Sequence, residues 1–304
     1  MATAAPPASR RRYLFDREAV LAPLMLLPSV VYILALVAIP FFLAIAYSLS
    51  DVTVGDPSFD YVGLRNFRAV LKDAVFRRSL TNSLFITAMT MVLVLVLAKI
   101  LALVLTRDFR FKWVVRFLIL LPWTTPVPLA AIVWLWMLDS LFSPIDWTLR
   151  WLGLLDGNLH WLGNSELAVA SVIAVQVWRI VPLAAVIIMA GLAAIPQDIN
   201  DAAEVDGAGF WRKLFEITIP MSLPVTAVAT LFGAVLVFTD MSVVFVLTRG
   251  GPVDATQILP TWAFFRGIAG GDLAQGAAIA LFLFPLLLAM AVLILRSVRK
   301  MEVM

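Results

Sequence analysis

The sequence predicts an all-α integral membrane protein with six transmembrane helices. Hydrophobic residues make up 62% of the 304 residues, charged residues make up 14%, and the mean hydropathy is +0.98. A soluble domain is about 45–50% apolar and about 25% charged. Apolar runs of about 17–25 residues, long enough to cross a bilayer as helices, recur along this chain. Composition and run length together favour a bundle of membrane-spanning helices.

The apolar runs define six spans. We predict them at 20–48, 83–105, 114–138, 167–192, 222–247 and 274–295. The first is a retained span and not a cleaved signal peptide, because its apolar stretch exceeds the roughly 7–15 residues of a signal core. The chain therefore divides into a tail at 1–19, a membrane domain at 20–295 and a second tail at 296–304.

The distribution of basic residues predicts that both termini lie in the cytoplasm. With the N-terminus inside, 13 of the 23 Lys and Arg residues fall in cytoplasmic segments and eight fall in outside segments. The remaining two, Lys99 and Arg179, lie within spans. Cytoplasmic loops carry the excess of Lys and Arg in most membrane proteins. This orientation places residues 193–221 in the cytoplasm, between the fourth and fifth spans.

The first outside loop is strongly basic, against this trend. In the stretch GLRNFRAVLKDAVFRRSLTN, residues 63–82, an apolar helical face lies opposite the basic residues. The apolar positions are Leu64, Phe67, Leu71 and Ala74. Such a helix either lies along the membrane surface or is solvated in the loop, and the sequence leaves both alternatives open.

The residue types exclude several kinds of chemistry. The chain has no cysteine, so it forms no disulfide and no thiolate site. Its one histidine, His160, has no companions that suggest a metal site. No G-x-x-x-x-G-K-[ST] phosphate loop occurs, so we predict no ATPase of that class in the chain. We therefore predict no catalytic residue, no metal ligand and no enzyme.

A short polar segment, DAAEVDGAGFWRKLFEITIP at 201–220, stands between two apolar blocks. Pro196 suits a first helical turn, and Asp198 favours the positive end of that helix. Gly207 tolerates a positive φ and so permits a sharp turn. A second helix then carries an aromatic stripe that includes Phe210 and Trp211. The segment 196–220 is thus a helix pair that either transmits motion from a cytoplasmic partner or is simply a well-packed loop.

The same segment resembles the EAA loop, E-A-A-x3-G-x9-I-x-L-P, of permease subunits of binding-protein-dependent ABC importers. Here the pattern reads Asp201-Ala202-Ala203, then Gly207, then Ile217-Thr218-Ile219-Pro220. The longer form is similar to the carbohydrate-uptake branch, which includes maltose, trehalose and glycerol-phosphate permeases. The stretches GLRNFRAVLKDAVFRRSLTNSL and LTRGGPVDAT also fit that branch. Asp201 and Ile219 depart from the usual glutamate and leucine, which puts a direct ion pair by Asp201 in doubt.

The resemblance implies a permease subunit that moves a sugar or sugar derivative, such as a di- or oligosaccharide, across the bacterial cytoplasmic membrane. Its implied partners are a second homologous permease subunit, two ATPase subunits and an extracytoplasmic binding protein, with no nucleic acid. ATP and Mg would be bound by the ATPase subunits, leaving this chain without a cofactor. The residues expected to couple to the ATPase are Asp201, Ala202, Ala203, Asp206, Gly207, Phe210 and Trp211.

Three charged residues fall inside predicted spans, where each costs roughly 2.5–3.5 kcal/mol on insertion scales. Lys99 is close enough to the end of its span to extend to the interface. Arg179 and Asp240 lie at similar depths and form either a structural ion pair or a polar site that contacts substrate. In maltose-type relatives the span after the loop supplies substrate contacts. The candidate substrate path is Asp240, Arg179, Gln176, Gly233, Leu236 and Val237.

Two other functions fit parts of the sequence. An ion-coupled secondary transporter would use Arg179 and Asp240 as a coupling relay, although no inverted repeat is visible. A non-transporting membrane scaffold would use the 201–220 loop only to recruit a cytoplasmic partner. The buried charges argue against the scaffold.

Overall fold

The computed structural model describes residues 18–302, and within that range it is helical throughout, apart from loops and one isolated bridge between Ser50 and Tyr61. Residues 1–17 of the predicted N-terminal tail lie outside the described residues. The α-helices are α1 Glu18–Ile33, α2 Ile39–Ser48, α3 Arg65–Lys72, α4 Ala74–Thr106, α5 Lys112–Thr124, α6 Val127–Met137, α7 Pro144–Trp151, α8 Ser165–Ala193, α9 Gln197–Val205, α10 Phe210–Lys213, α11 Ile219–Thr239, α12 Ser242–Leu247, α13 Leu259–Phe264, α14 Leu273–Leu281 and α15 Leu283–Glu302.

Three single π-helical turns occur among the described residues, and the first two join consecutive α-helices without a break. They are Leu34–Ala38 between α1 and α2, Leu214–Thr218 between α10 and α11, and Phe265–Ala269 after α13. Pro40 and Pro220 each stand at the second position of the α-helix that follows such a turn. Proline has no backbone N–H, so it removes one hydrogen bond from the preceding turn and favours a local change in helical winding.

Within residues 18–302, four helical segments are long and apolar enough to cross a membrane: Leu21–Ser48, Ala74–Thr106, Ser165–Ala193 and Leu273–Arg296. Two further pairs qualify together but are bent, by 95° for Lys112–Thr124 with Val127–Met137 and by 64° for Phe210–Met221 with Leu223–Thr239. Counting each bent pair as one span gives six. This agrees with the predicted number of spans.

Two of the predicted spans are interrupted in the structure. The third breaks where Thr125 is extended, with ψ 132°, directly before Pro126. The ring of a proline disfavours the helical conformation of the residue before it, which explains this break. The fifth ends early, because Asp240 is extended at ψ 117° and a separate helix begins at Ser242.

The central helix of the bundle is α8. Its packing partners are α4 and α11, and together they form the main buried cluster. Val172, Ile180 and Ile188 of α8 are fully buried there, as are Val94 and Ala98 of α4. In contrast, the first span, Leu21–Ser48, has no buried residue within its most apolar stretch of 18 residues. Small residues at the α8 contacts allow close helix approach, which is the usual way that helices pack in lipid.

The amphipathic outside segment forms α3 and the start of α4, and one side of α3 packs against the protein. Phe67 is partly buried and Val70 is fully buried, in a second cluster formed with α14. Leu64 and Leu71, which were predicted on the same face as Phe67, are 58% and 53% exposed. The 3.6-residue period places Val70 nearer to the middle of the packed face than either leucine.

Gly191 lies where α8 approaches α11 closely, and a substitution at this position tests that contact. A Cβ atom at this position would lie 2.7 Å from the Cβ of Val225, which is β-branched and fixed close to its own backbone. We expect Gly191→Ala to destabilise the protein by about 1–3 kcal/mol through overpacking. Thermal unfolding of the purified chain in detergent measures this. Gly157→Ala is the matched control, because a Cβ there meets nothing within 4 Å, and equal midpoints for the two variants would contradict the packing account.

Candidate functional site

Three polar side chains meet at the end of α11. Arg179 Nη2 lies 3.2 Å from Asp240 Oδ2, and Gln176 Nε2 donates to the same oxygen at 3.0 Å. Arg179 Nη2 also donates to Gln176 Oε1 at 2.7 Å. Gln176 and Arg179 are one turn apart on α8, so a single helix face presents both to the carboxylate. We call Gln176, Arg179 and Asp240 the polar triad.

The position of Asp240 explains why α11 ends there. Its Oδ1 accepts a hydrogen bond from Ser242 N at 2.9 Å, at the start of α12, while Oδ2 is held by α8. A carboxylate near a helix N-terminus satisfies free N–H groups and interacts favourably with the helix dipole. One side chain therefore fixes the break between α11 and α12 and neutralises Arg179.

The polar triad is largely shielded by protein. The side chains of Arg179 and Asp240 are only 7% and 11% exposed, and Gln176 is buried. Arg179 Nε is buried and has no hydrogen-bond partner among the described residues. Of the two alternatives that the sequence left open, the structure contains the ion pair. The unpartnered Nε leaves one donor of the guanidinium available within the site.

The other candidate path residues lie on α11 beside the triad. Gly233 and Val237 are buried in the packed core, and Leu236 is partly buried. A Cβ on Gly233 would lie 2.8 Å from Met91 Cε, so this glycine allows α4 to approach. In this conformation the structure brings Asp240, Arg179 and Gln176 together and places Gly233 and Val237 against neighbouring helices.

Lys99 has hydroxyl partners on α11, near the loop end of that helix, and its extension to the interface stays a prediction. Its amine donates to the hydroxyl of Ser222 and, at 3.4 Å, to that of Thr226, both on α11. Ser222 is fully buried and also donates to Thr218 O at 2.6 Å. The spacing of Ser222 and Thr226 at i and i+4, so soon after Pro220, was a signal in the sequence that such a cation has hydroxyl partners.

The predicted helix pair about Gly207 is present at the other end of α11. Gly207 has φ +72°, and the chain turns sharply there between α9 and α10. Ala208 N donates to Ala203 O at 2.8 Å and Gly207 N donates to Glu204 O at 3.0 Å. These two bonds satisfy carbonyl groups at the C-terminal end of α9, as a left-handed glycine commonly allows.

An ion pair joins the two helices of the loop. Lys213 Nζ lies 2.8 Å from Glu204 Oε1, across the turn at Gly207. The hydrogen bond from Lys213, together with its positive charge, holds the pKa of the Glu204 carboxyl below its ordinary value. Arg212 and Glu216 form a second pair at 2.9 Å along one helix face. The first pair constrains the angle between α9 and α10, whereas the second lies within one helix.

Most of the predicted coupling residues are exposed. Asp201, Ala202 and Asp206 are exposed on or just after α9, and Phe210 and Trp211 are 51% and 68% exposed. Asp201 Oδ1 accepts a hydrogen bond from Gln197 Nε2 at 3.1 Å and makes no ion pair among the described residues. Ala203 differs, because it is only 7% exposed and packs inside the helix pair.

Comparison with known proteins identifies the arrangement. Residues 95–303 match the model of a family described as binding-protein-dependent transport system inner membrane component. The chain belongs to this family. It is therefore a multi-pass membrane protein of a binding-protein-dependent transport system, a transporter component and not a catalytic enzyme.

Relatives across most of the chain support this assignment. The trehalose/maltose transport system permease protein MalF of Thermococcus litoralis is 31% identical over 281 residues, which is 92% of this chain and 94% of that protein. The sulfoquinovosyl glycerol transport system permease protein SmoG of Agrobacterium fabrum is 28% identical over 291 residues, 95% of this chain and 93% of that protein. A bacterial ABC transporter that imports the acidic polysaccharide alginate has a chain of the same fold, with a TM-score of 0.81, 18% identity, and coverage of 94% of this chain and 97% of that chain.

The ion pair within the polar triad gives a stability prediction. Asp240→Asn leaves Arg179 charged and buried without its counterion, and we expect a loss of about 3–5 kcal/mol in the free energy of unfolding. Adding Arg179→Gln to this variant should recover most of the loss, because no uncompensated charge then remains. Thermal unfolding in detergent gives both values. Asp156→Asn, in an exposed loop, is the control, and a double variant no more stable than Asp240→Asn would refute a structural role for the pair.

Proposed function

We propose that this chain is a permease subunit of an ABC importer that carries a sugar or sugar derivative, such as a di- or oligosaccharide, into the bacterial cell. ATP hydrolysis takes place on separate subunits. The observation that carries the proposal is one helical segment, bent by 64° near Met221, that leads from the exposed loop at Phe210 to the largely shielded carboxylate of Asp240. This segment connects a surface suited to a cytoplasmic partner with polar groups suited to a solute.

The loop end of this segment suits docking by an ATPase subunit. Asp201, Ala202 and Asp206 present a polar face with a shallow alanine surface, and a groove of about 370 Å³ runs between α9 and the Arg212–Glu216 pair. The Lys213–Glu204 ion pair links the two loop helices across the turn. We expect two ATPase subunits, which bind ATP and Mg, to dock on this chain and on a second, homologous permease subunit.

The buried end of the segment suits a sugar. Guanidinium, amide and carboxylate groups match the hydroxyl groups of a sugar as donors and acceptors. Trehalose/maltose, sulfoquinovosyl glycerol and diacetylchitobiose are named in the systems of relatives that span most of this chain, which favours a sugar here. In the present conformation the three side chains bond to one another, while Arg179 Nε has no partner among the described residues, so a solute must compete with the Arg179–Asp240 pair.

We propose an alternating-access mechanism in which the triad opens as α11 moves. Closure of the ATPase pair displaces the 196–220 loop, and the helix that follows it tilts relative to α8. Since Asp240 lies on α11 and its two partners lie on α8, this motion separates them and exposes their polar atoms to the solute. An extracytoplasmic binding protein delivers the solute, and both termini lie in the cytoplasm.

Gly207 provides a test of ATPase docking. Gly207→Val places a β-branched residue at φ +72°, where L-residues are strained by about 1–2 kcal/mol or more, so the angle between α9 and α10 should change. We expect the ATPase subunits to be lost when the tagged chain is purified from cells. Gly157→Val, at an exposed glycine with open space around it, should retain them. Normal recovery of the ATPase with Gly207→Val and an unchanged melting temperature would argue against docking at this loop.

Transport by the reconstituted complex tests the solute site and the rival mechanisms. We expect Asp240→Ala to reduce sugar uptake by at least about tenfold while the ATPase subunits remain bound, since the lost carboxylate contact is worth about 1.5–3 kcal/mol. Uptake should require ATP and be indifferent to proton and sodium gradients. Unchanged uptake kinetics in the variant would exclude a role for Asp240. Gradient-driven uptake by the chain alone would instead establish a secondary transporter, and no uptake by the intact complex would favour a scaffold.

A further inference from the structure

The structure assigns α3 a role that its basic sequence alone left open. We propose that the exposed face of α3 binds anionic phospholipid, with Leu64 and Leu71 in the apolar margin of the bilayer and Arg68 and Lys72 on lipid phosphates. The proposal concerns lipid binding by this chain. Only the assignment to the outer leaflet rests on the proposed topology.

The depth of α3 is fixed by what it packs against. Val70 belongs to one buried cluster with Ala278 and Ile279 of α14, and the ring of Phe67 lies 5.9 Å from that of Phe282. The last predicted span begins at residue 274, so these partners lie roughly 6–12 Å along the helix from its start, at 1.5 Å per residue. A helix held against membrane-embedded residues is itself at the level of the bilayer margin.

Two hydrogen bonds fix which face of α3 points outward. Asn66 Nδ2 donates to Ser48 O at 2.9 Å and to Ser50 O at 2.6 Å, and Asn66 is only 5% exposed. Together with Val70, this asparagine directs one face of α3 against the protein. The opposite face is therefore held outward and is not free to rotate.

The outward face combines apolar and basic side chains. Leu64 and Leu71 are two turns apart, are more than half exposed, and lie at one edge of this face. Arg68 and Lys72 are also exposed, beside the leucines, and their side chains form no ion pair or hydrogen bond with any described residue. Exposed leucine at bilayer depth with adjacent unpaired cations is the arrangement of an interfacial helix on anionic lipid.

Positive charge in the neighbouring segment also favours the binding of anionic phospholipid. Arg77 and Arg78 are exposed on the first turn of α4, and Arg65 is exposed with only Asp51 near it, at 4.0 Å. Two further carboxylates lie near this segment. Asp73 is engaged at the start of α4, where it accepts from Val75 N at 2.8 Å, and Glu166 lines a cavity with Arg78, so the five cations of residues 65–78 still outnumber the carboxylates. The surface of residues 65–78 is therefore cationic and complementary to phospholipid phosphate. An acidic protein docking from the aqueous phase would meet the arginines but not the leucines at bilayer depth.

The first experiment uses the absence of cysteine in the chain. A nitroxide attached to Leu71→Cys, in the full-length chain in its complex, is measured in nanodiscs of equal parts phosphatidylcholine and phosphatidylglycerol. We expect high accessibility to oxygen and low accessibility to a water-soluble nickel chelate. A label at Val253→Cys, which is 80% exposed in the loop after α12, is the aqueous control. Access of the nickel chelate to position 71 would show a solvated helix, and protection from both reagents would show a protein-covered face; either outcome overturns the proposal.

The second experiment counts phosphatidylglycerol retained by the same complex in native mass spectrometry. Arg68→Gln with Lys72→Gln should weaken retention by about 30-fold, since two surface cations are removed. The charge-conserving pair Arg68→Lys with Lys72→Arg should retain the lipid, and so should the outside control Arg249→Gln. Unchanged retention in the glutamine variant overturns the proposal. So does a selective loss of ATP hydrolysis stimulated by the binding protein, which would indicate protein docking.

These readouts separate the lipid proposal from the proposed function. Lipid retention and label accessibility are measured without transport, so a failure of either leaves the importer assignment untouched. Conversely, a complex that does not import sugar still reports on whether α3 binds phosphatidylglycerol.

Discussion

The constraint on which this structure depends is the lack of water in the bilayer core, where each polar or charged group must find its partner within the protein. The polar triad satisfies that constraint twice. Asp240 compensates Arg179, and its second oxygen accepts from the backbone at the point where α11 ends and α12 begins. A break in a span exposes backbone groups, and a buried arginine needs a counterion. The same carboxylate meets both requirements, which places the break and the charge at one position.

A single helical segment then links this position to the protein surface. The loop at 196–220 leads through the π-helical turn into α11, and the side of α11 near the loop is held to α4 by Lys99 on Ser222 and Thr226. Contacts at both ends are polar, while the middle of α11 packs through small residues such as Ala229 and Gly233 against α4 and α8. Polar contacts fix the ends of the segment, and small residues allow its middle to pack closely against α4 and α8.

Much of this architecture could be predicted from the sequence, because hydropathy and the positions of glycine and proline act locally. The six spans and the helix pair about Gly207 are of this kind. The early end of α11 was missed, since residues 241–247 are apolar and continue the pattern of a span. What ends the helix is a contact with Gln176 and Arg179, more than 60 residues away in sequence. The sequence also could not show which apolar residues of α3 are covered by protein, because the position of α14 decides this.

The π-helical turn at Leu214–Thr218 determines how the number of residues in the loop relates to the direction of the side chains on α11. A π turn accommodates one residue more than an α-helical turn, and each residue of an α-helix rotates the following side chains by about 100°. Because the wide turn takes up its extra residue locally, loss of one residue within 214–218 would return this stretch to α-helical winding and leave the later side chains of α11 close to their present directions. Asp240 would still face α8. The turn therefore separates the number of residues in the loop from the direction of the carboxylate at the far end of the span.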